Sequence, residues 1–208
     1  CHPAAETGRG SGRAERPGGG ASEAHGVCGV TMQDKIRPGY KQTEVGMIPE
    51  DWDELPLGSL FNFKNGLNKA KEFFGHGTPI VNYMDVFNQS GLQSSVILGR
   101  VDVNRDELKA YEARRGDVFF TRTSETVEEI GIASVMTGEV QDTVFSGFIL
   151  RARPVDDSLD NEFKRYCFSA PYFRQQVTMR ASYTTRALTN GRSLSAALLA
   201  RPPLPQQR

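Results

Sequence analysis

Four apolar runs bounded by turn residues read as strands. Val118-Phe119-Phe120 follows the turn pair Gly116-Asp117 and is short and wholly apolar, the mark of a buried strand. Gly131–Met136 and Thr143–Leu150 read as two more. In the second of these, Val144, Ser146, Phe148 and Leu150 share one face, and Phe145, Gly147 and Ile149 lie opposite, so both faces are expected to be buried. Pro79-Ile80-Val81-Asn82-Tyr83 reads as a fourth, behind a loop punctuated by Gly66, Gly75 and Gly77. Other stretches predict helices. Asn104 has the N-cap position before Arg105-Asp106-Glu107, with Glu at the third position, so a short helix should carry Leu108 and Tyr111 inward and end before Gly116. Ser158 is expected to cap a helix with Leu159, Phe163, Tyr166, Cys167 and Ala170 on one face. Pro171 fits the first turn of the next helix, which bears Phe173 and Val177. The only Trp, Trp52, stands beside the Pro49 turn, with Leu55, Leu57 and Leu60 following, and reads as a core or boundary anchor.

Residues 1–31 are a different material. The stretch is rich in Gly, Ala, Glu, Arg and Pro and has no hydrophobic period, so it cannot bury enough surface to offset its ordering entropy. It is expected to be a disordered leader or a translated upstream stretch, with Met32 the better natural start and the folded domain over residues 32–208. Hydrophobic residues make up 38% of the chain, with 12 Phe and 6 Tyr, which is enough for a core. No apolar run is long enough to cross a bilayer and no signal segment is present, so no membrane partner is expected. Cys1, Cys28 and Cys167 have no metal-ligand spacing, and a reduced, cytoplasmic setting is the expectation.

Candidate chemistry concentrates in polar loops. Directly after the Val118–Phe120 strand come Thr121, Arg122, Thr123 and Ser124, three hydroxyls and a guanidinium in one short loop. Arg offers five donors in a planar fork and a hydroxyl both donates and accepts, a combination suited to phosphates and base edges. An ordinary polar loop after a strand fits the same residues. Arg122 could instead pair with Glu125, Glu128 or Glu129, which follow closely. Lys64, Lys69 and Lys71 lie on the Gly-rich loop, where tracking a phosphate backbone and simple solvation fit equally well. Arg180, Tyr183, Thr184, Thr185 and Arg186 form a second polar, basic stretch. Lys+Arg and Asp+Glu both number 25, so a nucleic-acid binder here would need a local basic face, because bulk charge does not supply one.

Signals for catalysis are weak. There is no Gly-rich nucleotide loop and no Asn/Asp-Pro-Pro-aromatic motif of a DNA methyltransferase. Glu107-Leu108-Lys109 and Glu162-Phe163-Lys164 mimic part of a nuclease motif, but on predicted helices and without a second convergent carboxylate. Lone His76 has no partner at ligand spacing, and no Ser-His-Asp or Cys-His set is present. No catalytic or metal residue is expected.

Six stretches, taken together and in order, resemble the target-recognition domain of the DNA-specificity subunit of type I restriction–modification systems. They are Tyr40–Trp52, Gly77–Val86, Gly116–Gly131, Ser146–Pro154, Thr184–Leu188 and Arg201–Arg208. The resemblance implies an α/β (α+β) fold, a single recognition domain with a mixed, highly twisted β-sheet and flanking helices. It tips the lysine loop and both polar loops towards DNA. It implies sequence-specific reading of double-stranded DNA, one half of a bipartite target, with the other half read by a second such domain. Modification and restriction subunits would be the partners, and S-adenosylmethionine, ATP and magnesium would belong to them alone. The chain is expected to stop where the family's long conserved helix would begin. A fragment of a fused methyltransferase-endonuclease, or a remnant that binds nothing, are the alternatives.

Overall fold

The computed structural model describes residues 36–208; the expected leader, the start at Met32, and Cys1 and Cys28 lie outside the described residues. At the centre is the strand Val118–Thr121, buried at every position. It lies between Ile149–Pro154 and Ala133–Met136 in a five-stranded sheet, with Phe61–Asn65 and Gly91–Leu92 at the edges. Neighbours run antiparallel except Gly91–Leu92, which is parallel to Ala133–Met136, so the sheet is mixed. Side chains alternate across the sheet. Val118 and Phe120 enter one core with Phe61, Leu150 and Ala152, while Phe119 enters another with Met136, Phe145 and Ile149. An unbroken apolar run is what a strand covered on both faces requires.

The helices among the described residues are α1 (Leu57–Leu60), α2 (Tyr83–Asn88), α3 (Arg105–Tyr111), α4 (Asn161–Cys167), α5 (Pro171–Met179) and α6 (Gly191–Ser195). Cys167 of α4, Phe173 and Val177 of α5 and Leu194 of α6 cover the first face. Phe168 meets Phe120 at 5.1 Å and Phe173 at 5.2 Å, both edge to face, which joins sheet to helices through favourable ring quadrupoles. On the other face, α2 contributes Val86. The start of α3 is as expected: the Asn104 side chain accepts from the Asp106 and Glu107 amides, and Glu107 accepts from the Asn104 amide. Pro171 opens α5.

The remaining strands form small sheets, so the α/β class holds but the β-structure is divided. Val144–Phe145, Phe74–Val81 and Arg100–Val101 make one, and Tyr40–Thr43 with Gly46–Pro49 a hairpin. Leu198–Arg201 pairs antiparallel with Asp53–Pro56, which brings the incoming and outgoing segments side by side. Trp52 anchors that junction by donating from its indole nitrogen to Gln206 Oε1 at 2.8 Å. Ile36–Arg208 is one compact unit.

Three expectations change. The strand read over residues 79–83 ends at Val81, because Asn82 becomes the N-cap of α2 and Asp85 accepts from its amide, which satisfies donors that an extended chain would leave open. The strand read over 143–150 is two strands in two sheets. The chain turns at Ser146-Gly147-Phe148, where the Ile149 amide donates to the Ser146 carbonyl and Gly147 lies against the Asn68 amide, which a Cβ would have to displace. Phe148 is therefore in solvent instead of the core. Finally, α4 is capped by Asp160, which accepts from the Glu162 amide, and not by Ser158. Tyr166 is exposed, outside the buried stripe expected for it.

Candidate nucleic-acid interface

Beyond the end of the central strand the chain continues as Thr123–Ser124, which pairs with Ala187–Leu188, itself paired with Ser182–Tyr183. Two polar stretches far apart in sequence thus become one antiparallel sheet. Arg122 is the joint. Its amide donates to the Phe148 carbonyl at 3.1 Å and its carbonyl accepts from the Thr189 amide at 2.9 Å, so its backbone is held from both sides. Its half-exposed guanidinium makes only a 3.4 Å contact to the Gly147 carbonyl. None of the three acids considered as partners takes it: Glu125 meets Arg186 at 3.5 Å, and Glu129 accepts from the Ser124 hydroxyl at 2.8 Å.

Two of the expected contact residues face inward. Thr121 is buried, and its hydroxyl donates to the Glu129 carbonyl while accepting from the Ile132 amide. Ser124 is buried and committed to Glu129. Both hydroxyls satisfy backbone or side-chain groups of the 125–132 loop, and that internal demand outweighs solvent contact. Behind this loop stands Arg174 of α5, which the sequence reading passed over. Its guanidinium donates to the carbonyls of Glu128, Ile130 and Gly131 at 2.6–2.8 Å, and burial lowers its proton affinity. Gly131 takes φ +63° with Val177 pressed against it, so a side chain there would collide. The loop is a braced element.

Arg180, Tyr183, Thr184, Thr185 and Arg186 are all exposed, the last four at and around the turn joining Ser182–Tyr183 to Ala187–Leu188. Thr123 is half-buried on the edge strand of this sheet. The lysines divide differently. Lys69 donates to the Asp102 carbonyl at 2.7 Å and pairs with Glu107 at 2.8 Å; that contact is the leading reason the Glu107 carboxyl is held below its ordinary range. Lys64 lies over the Tyr111 ring, 5.2 Å from its centre. Lys71 is exposed in a short 3-10 turn. The structure therefore joins two of the three predicted groups in one sheet; in the lysine stretch Lys64 and Lys69 are tied to local partners and Lys71 is exposed.

A cleft of about 340 Å³ opens beside the small sheet. Tyr83, Met84 and Phe87 of α2 and the displaced Phe148 give it an apolar wall, while Glu125 and Arg186 stand at its border. Tyr83 and Phe87 stack at 5.8 Å. These residues escaped sequence reading because 82–83 and 148 were assigned to strands; the Asn82/Asp85 capping spacing and the Ser146-Gly147 pair were the available signals. Glu107 and Glu162 lie on helices, the latter paired with Arg165 at 2.7 Å. Among the described residues no group of three or more His, Cys, Asp or Glu side chains is placed to hold a metal, and no helix is long and apolar enough to cross a membrane.

No protein-family model matches the chain. The MjaX type I restriction enzyme specificity subunit assigned in Methanocaldococcus jannaschii is 23% identical over 185 residues, which is 86% of this chain and 42% of that protein. The EcoKI specificity subunit of Escherichia coli K12 is 27% identical over 184 residues, 78% of this chain and 37% of that protein. The chain resembles type I restriction specificity subunits. It spans about two fifths of their length. The specificity-subunit fold is also found in solved structures: the HsdS subunit of Thermoanaerobacter tengcongensis superposes with a TM-score of 0.56 at 17% identity, covering 85% of this chain and 39% of that one. A chain from a solved type I R-M system gives 0.55 at 18% identity, over 86% and 41%.

Proposed function

We propose that this chain is a sequence-specific reader of double-stranded DNA, serving one half of a bipartite target for a type I restriction–modification complex. The observation that carries the reading is the joining of the 121–124 and 180–186 stretches into one sheet, with Arg122 lacking a carboxylate partner among the described residues and Arg180, Tyr183, Thr184, Thr185 and Arg186 exposed around it. A partly exposed guanidinium whose one contact among the described residues is a long bond to a backbone carbonyl keeps donors free for a bidentate contact with guanine or phosphate. Similarity to specificity subunits supports the same reading. Lys71, Arg180 and Arg186 would position the backbone of the duplex, and Arg122 and Thr123 would meet base edges. Thr121 and Ser124 act through the braced loop, without touching DNA.

In this reading the chain carries no catalysis, and methylation and cleavage belong to modification and restriction subunits, with their S-adenosylmethionine, ATP and magnesium. A second recognition domain would read the other half-site. Selection from a random duplex pool tests the proposal. Enrichment of one short base motif is the expected result; a pool that stays random after repeated rounds overturns it.

A further inference from the structure

Phe148 is 61% exposed although Gly147 and Ile149 on either side are buried. A single exposed apolar residue needs no explanation. Phe148, however, faces the same cleft as Met84, itself 54% exposed, and its carbonyl accepts from the Arg122 amide at 3.1 Å. That bond sets the two residues side by side, next to the turn in which Gly147 lies against the Asn68 amide. Resting on the DNA-reading function above, we propose that Arg122 and Phe148 form a composite reader of two neighbouring base pairs, in which Phe148 and Met84 receive a thymine 5-methyl group in the major groove.

The chemistry of the cleft selects that ligand. Its wall is formed by Tyr83, Met84, Phe87 and Phe148. The thymine methyl is the one apolar group that a base pair presents in the major groove. Phe148 and Met84 offer no strong hydrogen-bond partner, so a base nitrogen, carbonyl or amino group set against them would lose water without compensation; the polar groups of the cleft are those of Thr123, Ser124, Glu125, Glu129 and Arg186. Phosphate is disfavoured because Glu125 and Glu129 outnumber the one cation lining the cleft among the described residues, Arg186, which already pairs with Glu125 at 3.5 Å. Because the cleft is open-sided, it suits the edge of a stacked base, and a whole extruded base would remain only partly covered.

The test uses the duplex enriched by selection and a set of the same duplex with each thymine replaced singly by uracil, which removes only the methyl group. Affinity is read by fluorescence anisotropy for the unaltered chain, Phe148→Ala and Met84→Ala. At one position uracil should weaken binding about fourfold, the transfer free energy of one buried methyl expressed as an equilibrium ratio. That penalty should vanish in Phe148→Ala and shrink in Met84→Ala, with circular dichroism unchanged because both side chains lie at the surface. Should every uracil duplex bind the unaltered chain like its parent, or Phe148→Ala keep the full penalty, the composite reader is overturned while DNA reading stands. A strong rise in 2-aminopurine emission next to the sensitive thymine would mark an extruded base and overturn edge reading as well. Failure to enrich any motif would sink the DNA reading together with this inference.

Discussion

Lys69 and Arg122 occupy similar places in the chain, each in a polar stretch beside a strand, yet the fold uses them in opposite ways. Lys69 is drawn onto the Asp102 carbonyl and the Glu107 carboxylate, and its side chain lies against the Phe73 ring. Arg122 has three acids within a few residues and pairs with none of them. Other cations follow Lys69: Arg153 grips buried Asp117 with two 2.8 Å bonds, and Arg174 serves three loop carbonyls. The contrast teaches that in a chain of zero net charge the number of cations says little about binding. What matters is which of them the fold's own acids and orphan carbonyls have left open, because those alone shape the outward field.

The contrast can be broken most forcefully at Asp117. Asp117→Ala leaves the Arg153 guanidinium without its carboxylate in a largely buried site, and the expected loss of folding stability in urea titration is about 3–5 kcal/mol. A loss near zero would mean that Arg153 is not committed to the fold, and the division between the two kinds of cation would fail. Arg174→Ala comes next, with an expected loss of about 2–4 kcal/mol, because carbonyls of the 128–131 loop lose their donors. Hydrogen exchange should speed up at the Gly131 and Ile132 amides, which the brace now holds close to Thr121.

Arg122→Ala sharpens the other side. Stability should stay within about 0.5 kcal/mol, as for a surface change. Affinity for the preferred duplex should fall by about 1–3 kcal/mol, with preference relaxed at one position, if the contact is to a base. A phosphate contact would weaken all sequences alike and reduce the salt slope by about one. Unchanged affinity and preference with an intact fold would place Arg122 with the committed cations and end the comparison.

The smallest effect is expected at Lys69. Removing its bond to the Asp102 carbonyl in Lys69→Ala should cost about 1 kcal/mol of stability and leave DNA affinity unaltered. Its pH dependence follows from Glu107, whose carboxyl is held below the ordinary 4.5 chiefly by Lys69. The charged contact is fully present above that value and disappears as pH falls through the lowered one. The stability gap between the unaltered chain and Lys69→Ala should therefore narrow in acid to what the Asp102 carbonyl bond contributes; a gap that widens there would contradict the pairing.

Local rules carried the sequence reading a long way. Val118–Phe120 was legible as a buried strand because the run is short, β-branched and aromatic and follows the Gly116-Asp117 turn pair, and Asn104/Glu107 announced α3 through a reciprocal cap. The fold class and two of the loops were legible too. Where two local rules competed, the reading failed: Asn82 and Tyr83 continue an apolar run and also begin a capping box, and the cap won. Across Thr143–Leu150 the period-two pattern concealed a change of sheet at Gly147.

By itself, then, the sequence determined the central strand, the starts of α3 and α5 and the polar character of both loops. Each of these rests on interactions within a few residues, where spacing alone specifies geometry. Only the tertiary structure decided that Ala187–Leu188 would pair with Thr123–Ser124, that Thr121 and Ser124 would turn inward, and that Phe148 would emerge beside Arg122. Those outcomes depend on partners far along the chain, including Arg174 and Asn68, whose arrival in space no local pattern records. Whether a polar side chain faces solvent or serves the fold is settled by which donors and acceptors the packed chain leaves unmet.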